Sequence, residues 1–297
     1  MSIVRVGVVR YLNARPLVEG LDVCKNLSLD AAVPSRIAPM LEQGDIDIGL
    51  VSVIDFARAK TPLTMIPAGM IGCQGPTLTV RVFSRVHPSK ISTLATDTDS
   101  HTSVALARII LKKVHDASPV PVDFNAREVL TTDDPQSWPE SVLLIGDKVV
   151  TASPPPDLYP HQIDLGQAWL DLTGLPFVYA IWMCRAADSH RPEILEAAAL
   201  LERQRLRNEF RLDWIVSQHA RPRHWPDELA REYLGQRLRF HAGERERKGI
   251  ARFLELAEAE GLAPKATPDF LPFDRAAPAG ALADGGTPTH AQTLGHS

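Results

Sequence analysis

The chain opens on a short apolar run that predicts a β-strand ending beside a polar residue. Residues 3–9 are almost all β-branched or glycine, a composition typical of strands. Just beyond them, Asn13 lies in the otherwise mostly apolar stretch 11–17. Open α/β sheets bind ligands at the carboxyl ends of their strands. We therefore expect Asn13 to contribute to a functional site, with an ordinary turn residue as the alternative.

Strands alternate with helices along the first two thirds of the chain. Strands are predicted at residues 27–33, 45–53, 64–74, 78–86, 94–98, 120–124, 141–150 and 177–184, and helices at 34–44, 102–114 and 166–172. This alternation predicts an α/β fold with mainly parallel sheets. The last third differs, because its patterns predict long amphipathic helices without intervening strands at residues 192–219, 226–238 and 244–261.

Two successive α/β units followed by helices predict two lobes joined by crossover strands. The first lobe would contain residues 1–86 together with 186–274, including the C-terminal helices, and the second lobe residues 87–185. A ligand cleft between the lobes follows from this layout. The segment 275–297 is rich in Ala, Gly, Pro and Thr and has no apolar period, so we expect it to be disordered.

Composition and charge narrow the class of partner. The chain has 297 residues, of which 44% are hydrophobic and 23% charged, and its net charge of −4 argues against a nucleic-acid surface. The longest apolar stretch, residues 177–184, is far shorter than the roughly 20 residues that span a bilayer. Three widely spaced cysteines suit a reducing compartment, and the N-terminus lacks the pattern of a signal peptide. A cytoplasmic protein without a membrane partner is expected.

Several familiar chemical motifs are absent from the sequence. Neither the dinucleotide loop G-x-G-x-x-G nor the phosphate loop G-x-x-x-x-G-K-[ST] occurs, and there is no G-x-S-x-G nucleophile elbow. The histidines and cysteines lack zinc-ligand spacing. We therefore expect no metal and no organic cofactor, which leaves either a cofactor-free active site or a pure binding protein.

A hydroxyl-rich stretch at the start of a predicted helix is a candidate anion site. Ser100, His101, Thr102 and Ser103 follow a strand and begin the helix. Free backbone N–H groups at a helix start, together with hydroxyls, can bind a carboxylate or a phosphate. The alternative is a simple N-cap made by Ser100 or Thr102. The number of hydroxyl and acidic residues exceeds what capping needs, which favours a ligand.

Other strand boundaries also carry polar residues, which would either contact a ligand or make structural hydrogen bonds. Thr79 follows a Gly-Pro turn that leads into a strand. Gly146 and Asp147 end a later strand, where Asp147 would either cap the next segment or contact a ligand. Ser52 is a candidate substrate-binding residue, although a buried hydroxyl bonded to the backbone is the more common role for a serine in an apolar strand.

These pieces, taken in order, resemble the chorismate dehydratases of the futalosine route to menaquinone. The resemblance covers residues 4 to about 261. It rests on Tyr-Leu-Asn-x-Arg-Pro-Leu at 11–17, Val-Pro-Ser-Arg at 33–36, Gly-Asp-Ile-Asp-Ile-Gly at 44–49, Gly-Pro at 75–76, Thr-Ser-Val-Ala-Leu at 102–106, Leu-Ile-Gly-Asp at 144–147, Asp-Leu-Gly at 164–166, Trp169, and Thr-Gly-Leu-Pro-Phe-Val at 173–178.

The resemblance implies the fold of type II periplasmic binding proteins and the loss of water from chorismate to give 3-(1-carboxyvinyloxy)benzoate. It places the site asparagine of the family on Asn13 and the site serine on Thr79, which keeps the hydroxyl and adds a methyl group. Arg10 stands where serine is common, and His101 where arginine is common.

None of these motifs offers an obvious base, so our hypothesis is that a substrate carboxylate takes the ring proton. Asn13 and Thr79 would then orient the ring and the departing hydroxyl. Two other functions share this fold and remain open: a non-catalytic receptor for a small carboxylate, and the sister enzyme that cleaves a cyclic futalosine derivative.

Overall fold

A computed structural model describes residues 3–96, 100–124 and 138–272. Its strands are β1 (Val4–Val9), β2 (Leu27–Ala32), β3 (Ile48–Ser52), β4 (Leu63–Cys73), β5 (Val80–Ser84), β6 (Thr93–Thr96), β7 (Val120–Asp123), β8 (Ser141–Ile145), β9 (His161–Asp164), β10 (Phe177–Arg185) and β11 (Leu238–Arg239). They form a six-stranded sheet in the order β11-β4-β10-β3-β1-β2 and a five-stranded sheet in the order β7-β6-β8-β5-β9.

Helices cover the sheets and make up most of the C-terminal third. They are α1 (Arg15–Val18), α2 (Pro34–Gln43), α3 (Val53–Arg58), α4 (His101–His115), α5 (Lys148–Thr151), α6 (Leu165–Thr173), α7 (Pro192–Glu209), α8 (Leu212–His219), α9 (Asp227–Glu232) and α10 (Glu244–Ala259). A π-helical turn, Tyr233–Arg237, follows α9 directly. No helix in the described part of the chain is both long and apolar enough to cross a membrane.

The α/β class is confirmed, but the expectation of mainly parallel sheets is wrong. β1 pairs in parallel with β2 and β3, and β6 does so with β7 and β8. β10 is antiparallel to both β3 and β4, and β5 is antiparallel to both β8 and β9. Each of β5 and β10 is the first strand after the chain has crossed from one sheet to the other. A strand that follows a passage between the two sheets is not joined to its neighbour by a helical crossover, so it can pair with that neighbour in the antiparallel direction.

The chain passes from the first sheet to the second between β4 and β5, and it returns between β9 and β10. The predicted lobe limits at residues 86 and 185 would place β5 in lobe 1 and β10 in lobe 2. Strand pairing instead places β5 in the second sheet and β10 in the first. The assignment of whole lobes to these segments stays a prediction, and the expected disordered tail, 275–297, lies outside the described residues.

Several elements begin and end where the local sequence indicated, and others do not. α2 starts at Pro34 and ends before Gly44, whose φ of +77° is the left-handed conformation that glycine adopts easily. The predicted strand 141–150 ends at Ile145 and gives way to α5. The predicted helix 192–219 is broken at Phe210 into α7 and α8. β9 and β11 are short strands with few apolar residues, so no pattern marked them.

Buried strands at the centre of the first sheet hold in place the segments that line the site. Every residue of β3 and of β4 is buried, as expected for strands covered on both faces. β1 is buried at all positions except Arg5. Because these strands are rigidly packed, the segments that follow β1 and β3 are held in fixed positions at one edge of the sheet.

Candidate functional site

A cleft with about 690 Å³ of empty space, including its open mouth, brings segments of both sheets together. Six of the nine residues predicted from the sequence line it: Asn13, Ser52, Thr79, Ser100, Ser103 and Gly146. His101, Thr102 and Asp147 do not line it. Three tyrosines with no role predicted from the sequence also line the cleft: Tyr11, Tyr179 and Tyr233.

Asn13 occupies the middle of a 3-10 turn, Leu12–Ala14, that comes shortly after β1. Its neighbours Leu12 and Ala14 are buried and anchor the turn, which directs Asn13 towards the cleft. The side-chain oxygen Oδ1 of Asn13 is buried, and it has no hydrogen-bond partner among the described residues. Buried polar atoms in proteins nearly always have a partner. This oxygen is therefore available to accept a hydrogen bond from a bound molecule.

Thr79 is held at the start of β5 by a turn with unusual backbone geometry. Leu78 has a φ of +69°, a conformation that non-glycine residues rarely adopt. The carboxylate of Asp164 accepts hydrogen bonds from the backbone N–H groups of Thr77 and Leu78, each at 2.9 Å. Positions of this kind persist where the surrounding structure compensates for the strain, often at functional sites. The turn buries Thr79 against the cleft.

The same carboxylate also begins the next helix. Asp164 Oδ1 accepts from the backbone N–H of Gly166 at 3.0 Å and of Gln167 at 3.2 Å, which makes Asp164 the N-cap of α6. One side chain thus connects both segments that cross between the sheets. In the sequence, Asp164 is part of the Asp-Leu-Gly motif, and no local pattern indicates these bonds.

Tyr233 lies directly beside Thr79. The hydroxyl of Tyr233 is 2.7 Å from Thr79 Oγ1, and the side chain is fully buried. Its ring stacks on Trp225, with centroids 4.9 Å apart and an interplanar angle of 20°. Burial raises the pKa of the Tyr233 phenol well above its usual value, while hydrogen bonds with Thr79 and Asn13 oppose that rise. The phenol is therefore protonated at neutral pH.

Asp147 lies behind this aromatic pair. Its Oδ1 accepts a hydrogen bond of 2.9 Å from the indole Nε1 of Trp225. Burial raises the pKa of Asp147, and the hydrogen bond from Trp225 and the charge of Arg223 counteract part of that rise. The carboxylate therefore fixes the indole of Trp225 through this bond. Asp147 does not line the cleft, so its predicted contact with a ligand stays a prediction.

The four polar side chains at the start of α4 point in two directions. Ser100 and Ser103 line the cleft, and their hydroxyl oxygens are 3.0 Å apart. His101 turns away, with Nδ1 2.9 Å from both carboxylate oxygens of Asp55 in α3. Thr102 Oγ1 accepts a hydrogen bond of 3.2 Å from the backbone N–H of Ile54. The predicted anion site is thus present in the cleft only as its two serines.

Ser52 and Gly146 complete the predicted set. Ser52 is buried at the end of β3, and its side chain makes no capping hydrogen bond to α3, although a backbone-bonded hydroxyl was the expected structural role. Gly146 has a φ of +71°, and its N–H donates to the carbonyl of Thr79 at 2.8 Å. Gly146 therefore helps to hold Thr79 through the backbone.

The lining combines hydroxyls, phenols and one amide with apolar side chains. None of the described lining residues carries an ionised carboxylate, an imidazole or a cationic side chain. In the described ranges, no group of three or more His, Cys, Asp or Glu residues is arranged to hold a metal ion. Such a site can orient a small polar molecule by donating and accepting hydrogen bonds, but it offers no strong protein base.

Comparison with solved structures identifies the fold. A protein from Archaeoglobus fulgidus superposes with a TM-score of 0.66 at 14% identity, covering 87% of this chain and 98% of that one. The periplasmic aliphatic sulphonate binding protein of Escherichia coli superposes with a TM-score of 0.59 at 16% identity, covering 89% and 94%. The chain therefore has the two-lobed fold of periplasmic binding proteins.

Sequence comparison identifies the family. A curated chorismate dehydratase of Thermus thermophilus is 28% identical over 271 residues, covering 86% of this chain and 95% of that protein. A chorismate dehydratase of Campylobacter jejuni is 25% identical over 254 residues, covering 85% and 93%. The family model described as menaquinone biosynthesis matches residues 4–259, which include every lining residue discussed above. The chain belongs to this menaquinone biosynthesis family.

Proposed function

We propose that the protein is a hydro-lyase that removes water from chorismate to give 3-(1-carboxyvinyloxy)benzoate. Both curated relatives carry the name chorismate dehydratase and align along nearly their whole length. The observation that carries the proposal is that two polar groups face the same cleft: the hydroxyl of Thr79, and Oδ1 of Asn13, which has no hydrogen-bond partner among the described residues. These are the two positions that the resemblance assigns to the reaction.

The chemistry requires little from the protein beyond orientation. Chorismate loses one ring proton and its ring hydroxyl as water, and the ring becomes aromatic, which supplies the driving force. The described lining offers no side chain suited to act as a strong base. In the proposed mechanism, a carboxylate of the substrate therefore takes the ring proton and passes it to the departing hydroxyl, which leaves as water while Asn13 and Thr79 hold it in place.

Binding and water exclusion would come from the remaining lining. Chorismate is a dianion, and the hydroxyls of Ser100 and Ser103 at the start of α4 can donate to one of its carboxylates. Tyr11 and the apolar lining residues would enclose the ring. Closing the two lobes around the substrate would fix the reactive geometry and exclude bulk water.

We also propose that the protein acts in the cytoplasm on a freely diffusing small molecule, without nucleic acid or membrane as a partner. The support for this is the biosynthetic role named for its family and relatives.

The test is incubation of the purified protein with chorismate, followed by absorbance and mass measurements of the aromatic product. We expect the product with the native protein, and loss of about 100-fold or more in kcat with Asn13→Ala, as for removal of one oriented polar group. Heat-denatured protein is the control for spontaneous decay of chorismate.

A receptor for small carboxylates is the second candidate, because the structural neighbours include periplasmic solute-binding proteins. Calorimetry with chorismate distinguishes the two functions. Tight binding of chorismate that is recovered intact, with no aromatic product, would replace the enzyme by the receptor.

A further inference from the structure

We propose that Tyr233 is a positioning residue that sets the direction of the hydrogen bond made by Thr79, so that Thr79 donates to the departing hydroxyl. This inference rests on the proposed dehydration. Neither the sequence motifs nor the resemblance points to Tyr233, which lies in the C-terminal third of the chain.

The phenol of Tyr233 lies within hydrogen-bond distance of Thr79. The Tyr233 hydroxyl is 2.7 Å from Thr79 Oγ1, and both side chains are buried and line the cleft. A buried phenol needs a partner for its single proton. We assign the proton of this bond to Tyr233, which makes Thr79 Oγ1 the acceptor.

The bond to Tyr233 decides where the hydroxyl proton of Thr79 can point. A threonine hydroxyl has one proton and can both donate and accept. Once Oγ1 accepts from Tyr233, its own proton must point elsewhere, and the open space next to Thr79 is the cleft. Thr79 is therefore a donor towards a bound molecule.

Asn13 supplies the complementary acceptor. The amide of asparagine has an accepting oxygen, Oδ1, and a donating nitrogen, Nδ2. Its Oδ1 remains buried without a partner among the described residues. The asparagine thus offers an acceptor beside the donor of Thr79, the pair needed to hold one hydroxyl group.

The surroundings of Tyr233 keep this arrangement rigid. The ring stacks on Trp225, and the indole of Trp225 is fixed by its hydrogen bond to Asp147. The residue also opens the π-helical turn Tyr233–Arg237, a deviation that is frequent at functional sites. Because the phenol is held on its face as well as at its hydroxyl, it can orient Thr79 without moving during the reaction.

The experiment is a double-mutant cycle of Tyr233→Phe and Thr79→Val, measured as kcat and KM for chorismate. We expect Tyr233→Phe to lower kcat about 10- to 100-fold with KM changed less than about threefold, because binding remains and orientation is lost. In the Thr79→Val background the same change should cost less than about twofold, because the group on which Tyr233 acts is gone. Independent effects that multiply would overturn the proposal.

Tyr159→Phe is the matched control. Tyr159 is also a fully buried tyrosine, and its hydroxyl donates to the carbonyl of Pro139 outside the cleft. Removing that hydroxyl should lower stability but leave kcat within about twofold. An equal loss of kcat in Tyr159→Phe and Tyr233→Phe would mean that the effect of Tyr233 is one of general stability, and it would refute a positioning role.

If Tyr233→Phe does not fold, Trp225→Phe tests the same point, because it keeps an aromatic ring against Tyr233 and removes the bond to Asp147. We expect a loss of about threefold to tenfold in kcat that disappears in the Thr79→Val background. The same loss in both backgrounds contradicts the proposal. A native protein that forms no product overturns the dehydratase function and this role together, whereas an active protein with multiplicative losses overturns this role alone.

Discussion

Two hydroxyl-rich stretches face the cleft, and the structure uses them differently. In the turn that leads into β5, Asp164 holds the backbone, and this leaves the Thr79 hydroxyl directed at Tyr233 and the cleft. At the start of α4, two of four polar residues are used to attach the helix to α3. The first stretch is a site supported by a separate carboxylate, whereas the second is a junction between helices that also contributes two serines.

The difference follows from backbone geometry. On a helix, residues three apart share a face, so Ser100 and Ser103 meet in the cleft. His101 and Thr102 lie between them in sequence and therefore face the neighbouring helix. In the turn, side chains follow no such period, and their directions depend on the positive φ at Leu78 and on the bonds to Asp164. Two stretches that are both rich in hydroxyl groups can therefore have different functions.

The strongest test of this contrast is the loss of one hydroxyl on each side. Thr79→Val keeps the shape of the side chain and should lower kcat about 100-fold, because an oriented donor is lost. Ser103→Ala should cost less than about tenfold, mainly in KM, because Ser100 still offers a hydroxyl at the same place. Steady-state kinetics with chorismate measure both, and losses of the same size would remove the distinction between the two stretches.

The next test removes the support of the turn. Asp164→Asn replaces one carboxylate oxygen by an amide that cannot accept, so at least one backbone N–H of the turn or of α6 loses its partner. We expect the free energy of unfolding to fall by about 2 kcal/mol. Urea denaturation measures it. Asp171→Asn, at an exposed position in the same helix, is the control and should stay within about 0.5 kcal/mol of the native protein.

A smaller effect is expected at the junction between helices. Thr102→Val leaves the buried N–H of Ile54 without its acceptor and should cost about 1 kcal/mol of stability. Thr102→Ser keeps the oxygen and should be close to native. Neither variant should change kcat by more than about twofold. A kcat loss comparable to that of Thr79→Val would show that Thr102 acts on the substrate after all.

The smallest effect is a pH dependence at Asp147. Because burial raises its pKa in the folded protein, the folded state binds a proton there more readily than the unfolded state. The ionised carboxyl therefore destabilises the fold, and this cost is absent below about pH 4 and grows as pH rises towards the folded pKa. Asp147→Asn should remove this component. Thermal melts from pH 3.5 to 7 measure it as the difference between the two proteins, and a gap that does not change with pH contradicts the assignment.

Local patterns predicted the elements that carry most of the cleft, but not the partners across it. Short-range rules predict the strand before Asn13, the ends of α2 at Pro34 and Gly44, and the serines at the start of α4. Tyr233 lies in a stretch whose periodicity indicated an ordinary amphipathic helix, so its aromatic side chain was indistinguishable from a core residue. Its role depends on a contact with Thr79, 154 residues away in sequence.

The same limit explains His101 and Asp147. Both are polar residues at element ends, where a ligand contact and a structural bond produce the same local pattern. Asp55 and Trp225, which take up these two side chains, come from other elements. Only the packing of distant segments decides between the two outcomes.

The late position of Tyr233 has a consequence for how the protein becomes active during synthesis. Among the described lining residues, those from Val9 to Ala180 precede α7, and Tyr233 and Leu238 come later, between α9 and α10. Domains begin to fold from the N-terminus while the ribosome is still adding residues. A nascent chain can therefore pair strands β1 to β10 before the site is finished. The site would be complete once the segment after Trp225 has left the ribosome and docked.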